Sequence, residues 1–279
     1  MSNAVRVSHT APVTFDRVAS EYERTRPLPD KIGESVARYI VSLLNKREWM
    51  LDAGCGTGRF TRPLARRHDR VVGADVSREM IARLREEHAP FREPLLVRAD
   101  LRDLPFPDAQ FSIVLTVHVL HLIAEWQTAF AEMWRVLEGD GCLLLGYEDR
   151  SVSAVRDFYL TEGRQRGLLP AAPGTRDTQG VLIPFAQEKF GVTQIEEVSL
   201  PAWRWKTTTP VSQLLTDLDA RLYSSQWGIA GDAHEQLMER TRQNVRNIFG
   251  AGYETAHETI TTRFVLVVLR KPDPDPATG

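Results

Sequence analysis

The chain has 279 residues, 42% of them hydrophobic and 26% charged, a composition that allows a substantial buried core and argues against disorder throughout. Its 35 basic and 37 acidic residues give a formal net charge of −2, which argues against nucleic acid or an anionic membrane as its general partner. Only two cysteines are present, Cys55 and Cys142, which argues against a disulfide framework and a multi-cysteine metal site, so no metal is predicted.

From Trp49 onward, short apolar runs alternate with amphipathic stretches, a pattern typical of parallel strands joined by crossover helices. The five predicted strands are WMLDA, RVVGAD, LLVRAD, FSIVLTV and CLLLGYE. The helical stretches between them are RFTRPLARRH, SREMIARLREEH and EWQTAFAEMWRVL. This order predicts a doubly wound α/β sheet, in which ligands bind at the carboxyl ends of the strands.

Beyond Glu148 two further strands are predicted, VTQIEEVSL and RFVLVVL. Two helical candidates, Pro210 to Tyr223 and Asp232 to Phe249, lie between them. We interpret this insert as a helical cap over the ligand end of the sheet. Packing against the back of the sheet is the alternative.

Three glycines, Gly54, Gly56 and Gly58, occupy alternate positions where the first strand turns into a helix. Glycine loses much conformational entropy on folding, so this concentration indicates positive φ angles or a close approach of the backbone to a ligand. A dinucleotide fingerprint would have its last glycine where this chain has Arg59, which weakens a diphosphate interpretation.

Two acids, Asp75 and Asp100, end the predicted second and third strands beside this corner. Asp75 follows Gly54 by 21 positions, close to the spacing at which an acid accepts hydrogen bonds from ribose hydroxyls. Asp100 can accept a hydrogen bond from an exocyclic adenine amine. Each acid alone could be a helix cap or a turn residue, but together with the glycines they predict a nucleoside site.

Four stretches resemble, in order and spacing, the motifs of class I S-adenosylmethionine-dependent methyltransferases: LDAGCGTGRF, VVGAD, RADLRDLPFPDAQFSIVLTVHVLHLI and RVLEGDGCLLLGYE. The segment Phe15 to Pro27, FDRVASEYERTRP, resembles the one that precedes the fold in many small-molecule members. A looser resemblance, at LDARLYSSQWGI in the helical insert, is to a bacterial subgroup whose substrates it does not identify.

The resemblance implies a Rossmann-like doubly wound sheet of seven strands, mostly parallel with the last strand antiparallel, and a helical insert between strands six and seven. The implied divisions are a flexible N-terminus (1–14), a methyltransferase core (15–206), a helical cap (207–258), a last core strand (259–271) and a disordered tail (272–279). With no signal-peptide core and no run of roughly 18 apolar residues, the sequence is interpreted as cytoplasmic.

The resemblance also implies an enzyme that moves a methyl group from S-adenosylmethionine to a small-molecule acceptor by in-line displacement, releasing S-adenosylhomocysteine. An RNA or protein methyltransferase and a non-catalytic cofactor-binding or scaffold protein are the alternatives, and Arg59 disfavours a dehydrogenase. Neither a nucleic acid nor a membrane is expected as partner. The acceptor, the methylated atom and the oligomeric state stay open.

The cofactor-binding residues that the resemblance implies come from the corner, the strand ends and the N-terminal segment: Tyr22, Arg26, Asp52, Gly54, Cys55, Gly56, Gly58, Asp75, Val76, Met80, Asp100, Leu101 and His118. Within this set, Asp52 would lie near the cofactor ammonium, Asp75 would bind the ribose, and the Arg26 guanidinium would face the cofactor carboxylate.

Positioning alone can supply much of the acceleration, so a catalytic base is optional. If the acceptor must lose a proton, His118 and His121 after strand four are candidate bases. Tyr147 is a third candidate catalytic residue, and with Glu148 at the end of strand five it would face the cavity. Further candidates for substrate contact are Arg221, Tyr223, Trp203 and Trp205, whereas Trp126 is predicted to be a core residue.

Overall fold

The computed structural model describes residues 14–44, 48–86 and 93–272. Most of the predicted flexible N-terminus (1–14) and of the predicted disordered tail (272–279) therefore lies outside the described residues. Among the described helices, none is long and apolar enough to cross a membrane.

The described strands are β1 (Met50–Ala53), β2 (Val71–Asp75), β3 (Leu95–Arg98), β4 (Phe111–Val117), β5 (Leu137–Arg150), β6 (Ile195–Val198), β7 (Arg204–Pro210) and β8 (His257–Arg270). The described α-helices are α1 (Tyr22–Thr25), α2 (Asp30–Ser42), α3 (Thr61–Ala65), α4 (Arg78–Glu86), α5 (Trp126–Val136), α6 (Arg156–Gln165), α7 (Ile183–Phe190), α8 (Val211–Asp219) and α9 (Gly231–Phe249).

One sheet runs in the order β3-β2-β1-β4-β5-β8-β6, with β7 also paired to β8. The strands β1 to β5 are parallel to one another, and β8 is antiparallel to β5, β6 and β7. The predicted Rossmann-like fold, mostly parallel with an antiparallel last strand, is confirmed. Because β1 to β5 point the same way, their carboxyl ends meet at one edge, where the predicted ligand residues converge.

The sheet has eight described strands rather than the seven predicted, because β7 was not recognised in the sequence. Its sequence, RWKTTTP, lacks an apolar alternation, and its side chains are exposed or half-buried along the whole strand. It pairs with the polar first half of β8, from Arg204 opposite Arg263 to Pro210 opposite His257, while β6 pairs with the apolar second half. The two helices of the insert therefore follow β7 instead of β6.

Apolar side chains cover both faces of the sheet, as a buried parallel sheet requires. One face packs against α5 and α7 through residues such as Phe130, Met133 and Ala186. The other packs against α2 and α3 through residues such as Val36 and Leu64.

The three tryptophans singled out in the sequence contribute to these two layers. Trp126 packs against the first layer, with its ring centroid 5.0 Å from that of Phe185. Trp203 is fully buried in the second layer and Trp205 packs against it. All three are thus packing residues, and none of them lines the cavity described below.

A third apolar cluster joins α6, α8 and α9, with Tyr159, Leu218 and Leu237 among its buried members. It includes Tyr223, which lines the cavity described below together with Ser224 and Ser225. We call the elements α6, α8 and α9 with the loop 220–230 the cap.

Candidate active site

A cavity of about 260 Å³ lies at the carboxyl edge of the sheet. Its walls come from the corner after β1, the ends of β2 and β5, the loops after β3 and β4, the N-terminal segment and the cap. The predicted site residues that line it are Tyr22, Arg26, Gly54, Gly56, Asp75, Val76, Met80, Asp100, Leu101, His118 and His121. Residues far apart in the chain thus meet around one space, as the sequence motifs predict.

The three glycines of the corner all have positive φ, but each meets different surroundings. A Cβ on Gly54 would lie 2.3 Å from Val119, and one on Gly58 would lie 2.1 Å from Leu84. A Cβ on Gly56 would meet nothing within 4 Å. Gly54 and Gly58 therefore serve close packing, whereas Gly56 leaves space open at the cavity wall.

The Asp75 carboxylate is held by one backbone donor from the corner and one from the turn after β2. Gly56 N–H donates to its Oδ2 at 2.9 Å, and Ser77 N–H donates to its Oδ1 at 2.8 Å. Burial raises the pKa of Asp75, and these two backbone hydrogen bonds oppose that effect. Each carboxylate oxygen can accept a further hydrogen bond, so the group retains capacity for ligand hydroxyls.

Asp100 lines the same cavity, and Arg102 fixes its orientation. The Arg102 side chain donates to Asp100 at 2.7 Å through Nη2 and also to Glu125 at 2.6 Å through Nη1. The Arg102 backbone N–H donates to Asp100 at 3.0 Å. Part of the hydrogen-bonding capacity that the sequence assigned to a ligand amine is thus used within the protein.

Asp52 and Cys55 are predicted site residues that do not line the cavity. Asp52 is buried and accepts a hydrogen bond from the Thr61 hydroxyl at 2.5 Å. Burial raises the pKa of Asp52 to about 7, although the Thr61 hydroxyl opposes this. Burial also raises the pKa of the Cys55 thiol well above its usual value. Gly58 likewise lies outside the cavity lining.

His118 follows β4 with a φ of 55°, a left-handed conformation that brings its ring over the end of β5. Its Nε2 accepts a hydrogen bond from the Glu148 backbone N–H at 3.2 Å, so the neutral ring carries its proton on Nδ1. Burial lowers the pKa of His118 to about 4, an effect that the nearby Glu148 carboxylate opposes. The side chain is therefore neutral at physiological pH.

His121 and Tyr147 differ in their relation to the cavity. His121 lines it and is buried. Burial, followed by the charge of Arg176, lowers the pKa of His121 to about 2. Tyr147 does not line the main cavity; it faces a second cavity of about 170 Å³, which shares His118, His121 and Glu148 with the first. The strand's alternation explains this, because Tyr147 and Glu148 point to opposite faces of β5.

Arg59 and Glu148 form a buried ion pair in the wall of the main cavity. The sequence analysis does not predict this pair. The Arg59 Nη2 lies 2.5 Å from Glu148 Oε1, and the two side chains are 9% and 1% exposed. Burial alone would raise the pKa of Glu148, but the Arg59 and Arg150 guanidiniums outweigh it and lower that pKa to about 2. The only sequence signal was an arginine in place of the last glycine of a dinucleotide fingerprint.

The N-terminal segment closes the cavity from the side of the cap. Tyr22 and Arg26 line the cavity, and the Arg26 guanidinium lies 4.8 Å from the Tyr22 ring centroid and 5.6 Å from that of Tyr223. Of the insert residues proposed for substrate contact, Tyr223 reaches the cavity. Arg221 instead donates to the Ile229 carbonyl and does not line the cavity.

Comparison with known proteins agrees with this geometry. Residues 51–145 match a family profile described as a methyltransferase domain. The chain is 30% identical over 140 residues to the malonyl-[acyl-carrier protein] O-methyltransferase of Legionella pneumophila, covering 50% of this chain and 49% of that protein. It is 32% identical over 156 residues to the demethylmenaquinone methyltransferase of Tropheryma whipplei, covering 54% of this chain and 65% of that protein. The chain thus spans about half the length of the first of these relatives.

A solved structure shares the fold across most of the chain. The phosphoethanolamine N-methyltransferase 2 of Haemonchus contortus, determined with S-adenosylhomocysteine, superposes with a TM-score of 0.55 at 16% identity. The alignment covers 94% of this chain and 61% of that one.

The fold and the matched motifs define a Rossmann-like methyltransferase domain. The methyltransferase domain matched at residues 51–145 confirms the resemblance of the sequence to the class I S-adenosylmethionine-dependent methyltransferases.

Proposed function

We propose that this chain transfers a methyl group from S-adenosylmethionine to a small-molecule acceptor. The observation that carries the proposal is the convergence of the open position at Gly56 and the carboxylates of Asp75 and Asp100 on one cavity. That convergence fits an adenosine-bearing cofactor, since ribose hydroxyls and an adenine amine are donors that carboxylates accept.

Different residues of the cavity would bind different parts of the cofactor. Asp75 would accept from the ribose and Asp100 from the adenine amine, while Val76 and Met80 would cover the adenine faces. The Arg26 guanidinium would pair with the cofactor carboxylate. The space over Gly56 would admit the part of the cofactor between ribose and sulfur.

Bound S-adenosylmethionine supplies a methyl carbon on a sulfonium, so an acceptor lone pair forms the new bond while the carbon–sulfur electrons leave with S-adenosylhomocysteine. The chain's own contribution is positioning: the walls at His118 and Tyr223 would bring the acceptor atom to within about 3.5 Å of that carbon.

Proton removal by a histidine is a minor part of the proposal. The Nε2 lone pair of His118 already accepts the Glu148 N–H, and its pKa of about 4 makes it a weak base. His121, with a pKa lowered to about 2, is weaker still. An acceptor that reacts without first losing a proton suits these two side chains best.

A carrier-bound acceptor is the second candidate, because the three first curated relatives are named for malonyl-[acyl-carrier protein]. An RNA acceptor is less favoured by the net charge of −2. A non-catalytic cofactor-binding protein is the remaining alternative, and the turnover measurement below tests it.

Isothermal titration calorimetry with S-adenosylmethionine, S-adenosylhomocysteine and NAD tests the cofactor. We expect a heat of binding with S-adenosylmethionine and S-adenosylhomocysteine and none with NAD. The absence of a heat of binding with both of the first two compounds contradicts the proposal. Turnover is tested with isotopically labelled S-adenosylmethionine and a cell metabolite extract, in which label should appear in a small-molecule product. Label in protein or RNA alone would favour the alternatives.

A further inference from the structure

Five arginines line the main cavity on the side of β4, β5 and the cap: Arg26, Arg59, Arg150, Arg156 and Arg176. The carboxylate that lines the cavity among them is Glu148, at the end of β5. The other two acids of the cavity wall, Asp75 and Asp100, belong to the β2 and β3 side. In the strand order, β2 and β5 are three strand spacings apart, about 14 Å.

Glu148 neutralises only part of this charge. It forms ion pairs with Arg59 and Arg150, both of which contact its carboxylate oxygens. Within the described part of the chain, no carboxylate lies within ion-pair distance of Arg26, Arg156 or Arg176. One carboxylate therefore faces five guanidiniums at this end of the cavity.

Aromatic rings hold two of the arginines without compensating their charge. The Arg156 guanidinium lies 4.5 Å from the Tyr223 ring centroid, and that of Arg26 lies 4.8 Å from the Tyr22 ring centroid. Partial removal of its guanidinium from water at the cavity wall, followed by repulsion from Arg156, Arg26 and Arg150, lowers the pKa of Arg176 to about 10. Collecting like charges in a protected space costs free energy, which a bound anion would offset.

This inference rests on the proposed function, because the bound cofactor would pair with one of these arginines and leave the others for the acceptor. S-adenosylmethionine carries a sulfonium, an ammonium and one carboxylate, so its binding adds net positive charge. Its carboxylate would use Arg26 and leave Arg156 and Arg176 uncompensated.

We propose that the methyl acceptor is an anion whose carboxylate or phosphate group binds between Arg156 and Arg176. Arg156 comes from the first turn of α6, and Arg176 from the loop that precedes α7. Arg156 is half-buried and stacked on Tyr223, whereas Arg176 is exposed at the rim. This arrangement would draw the anion inward from the rim, and planar guanidiniums bind both kinds of oxyanion in a bidentate manner.

Three probes of matched shape test the proposal: 3-phenylpropanoate, 2-phenylethyl phosphate and the neutral 3-phenylpropanamide. Each is titrated calorimetrically into the full chain saturated with S-adenosylhomocysteine. We expect at least one anion to bind tenfold or more tightly than the amide. The tighter of the two anions then identifies carboxylate or phosphate as the preferred group.

Two variants and one control assign the preference to these arginines. Arg156→Gln with Arg176→Gln should reduce the preference for the anion at least tenfold and leave the affinity for S-adenosylhomocysteine within twofold. Arg164→Gln is the control, because Arg164 lies on the same helix but is exposed and outside the cavity lining. Arg176→Gln alone, which changes an exposed side chain, covers the case in which the double variant does not fold.

Equal binding of the amide and both anions overturns the proposal, as does an absence of heat from both anions or a preference that survives in the variants. The same titrations without S-adenosylhomocysteine distinguish a failure of this proposal from a failure of the proposed function. If S-adenosylhomocysteine does not bind at all, the proposed function fails, and the anion preference is still measured on the chain alone.

Discussion

The Asp75 carboxylate links the glycine corner to the start of α4, because Gly56 N–H and Ser77 N–H both donate to it. Substitution Asp75→Asn removes its charge and turns one acceptor into a donor. We expect S-adenosylhomocysteine to bind about 1 to 3 kcal/mol more weakly by calorimetry, because hydrogen bonds from the ribose to a charged group are lost. Asp232→Asn, at an exposed residue in the first turn of α9, is the control, and unchanged affinity in a folded Asp75→Asn variant would refute the placement of the ribose.

Gly56 and Gly58 have similar backbones but different surroundings, so alanine should affect them differently. Both substitutions place a side chain at positive φ, which costs about 1 to 2 kcal/mol. Gly58→Ala also drives a Cβ against Leu84, which adds about 1 to 3 kcal/mol.

Urea unfolding should therefore show Gly58→Ala as the less stable variant. Calorimetry then compares the loss of S-adenosylhomocysteine binding free energy with the loss of unfolding free energy in each variant. This ratio should be larger for Gly56→Ala, since its new methyl group enters open space at the cavity wall. Equal stability of the two variants would contradict this assignment of roles.

His118 should make folding stability depend on pH. Its pKa of about 4 in the folded chain lies below the ordinary 6.5, so between these values the unfolded chain binds more protons. The free energy of unfolding should then fall as pH drops from 6.5 to 4, by up to about 1.4 kcal/mol per pH unit from this group.

His118→Asn keeps a residue that tolerates the left-handed backbone and removes the titration. The slope of unfolding free energy against pH, measured by urea titration, should become shallower. The contribution of His121 has the same sign and persists in the variant. An unchanged slope would show that His118 does not titrate as described.

At the scale of elements, the N-terminal segment is fastened to the cap over the cavity. The Arg24 guanidinium donates to both Asp217 oxygens at 3.0 and 2.8 Å, and Asp217 is buried on α8. The rings of Phe15 and Trp227 lie 4.7 Å apart, and Arg17 donates to the Arg221 carbonyl. Two segments about 200 positions apart thus close one side of the cavity together.

We expect Arg24→Gln to release this closure and to speed S-adenosylhomocysteine dissociation about fivefold in stopped-flow measurements, because a half-exposed pair contributes about 1 kcal/mol. Arg66→Gln, which breaks a pair with Glu34 on α2, is the matched control. Equal dissociation rates in the two variants would show that the Arg24–Asp217 pair does not restrain the ligand.

At the scale of the whole molecule, one ligand should touch three units: the edge of the sheet, the N-terminal segment and the cap. Binding of S-adenosylhomocysteine should therefore slow amide hydrogen exchange at the corner (54–58), in residues 14–26 and in the cap loop (220–230) together. Mass spectrometry of exchanged peptides measures this. Protection confined to the corner would place the cofactor outside the cap.

Much of the fold follows from the sequence alone. The buried strands β1, β2, β4 and β5 are apolar runs, and their alternation with amphipathic helices specifies a doubly wound sheet. The glycine corner and the strand-end acids are recognisable for the same reason, since each signal lies within a few consecutive residues.

Only the tertiary structure decided the pairing of β7, the opposite placements of Tyr147 and Glu148, and the meeting of the cavity arginines. The strand β7 carries no apolar pattern, so its place depends on the partner edge that β8 offers. Arg59, Arg156 and Arg176 come from three separate segments, and each alone resembles a surface residue. Only folding brings these charges close together. Electrostatic interactions act through space, so they produce no periodic pattern along the sequence.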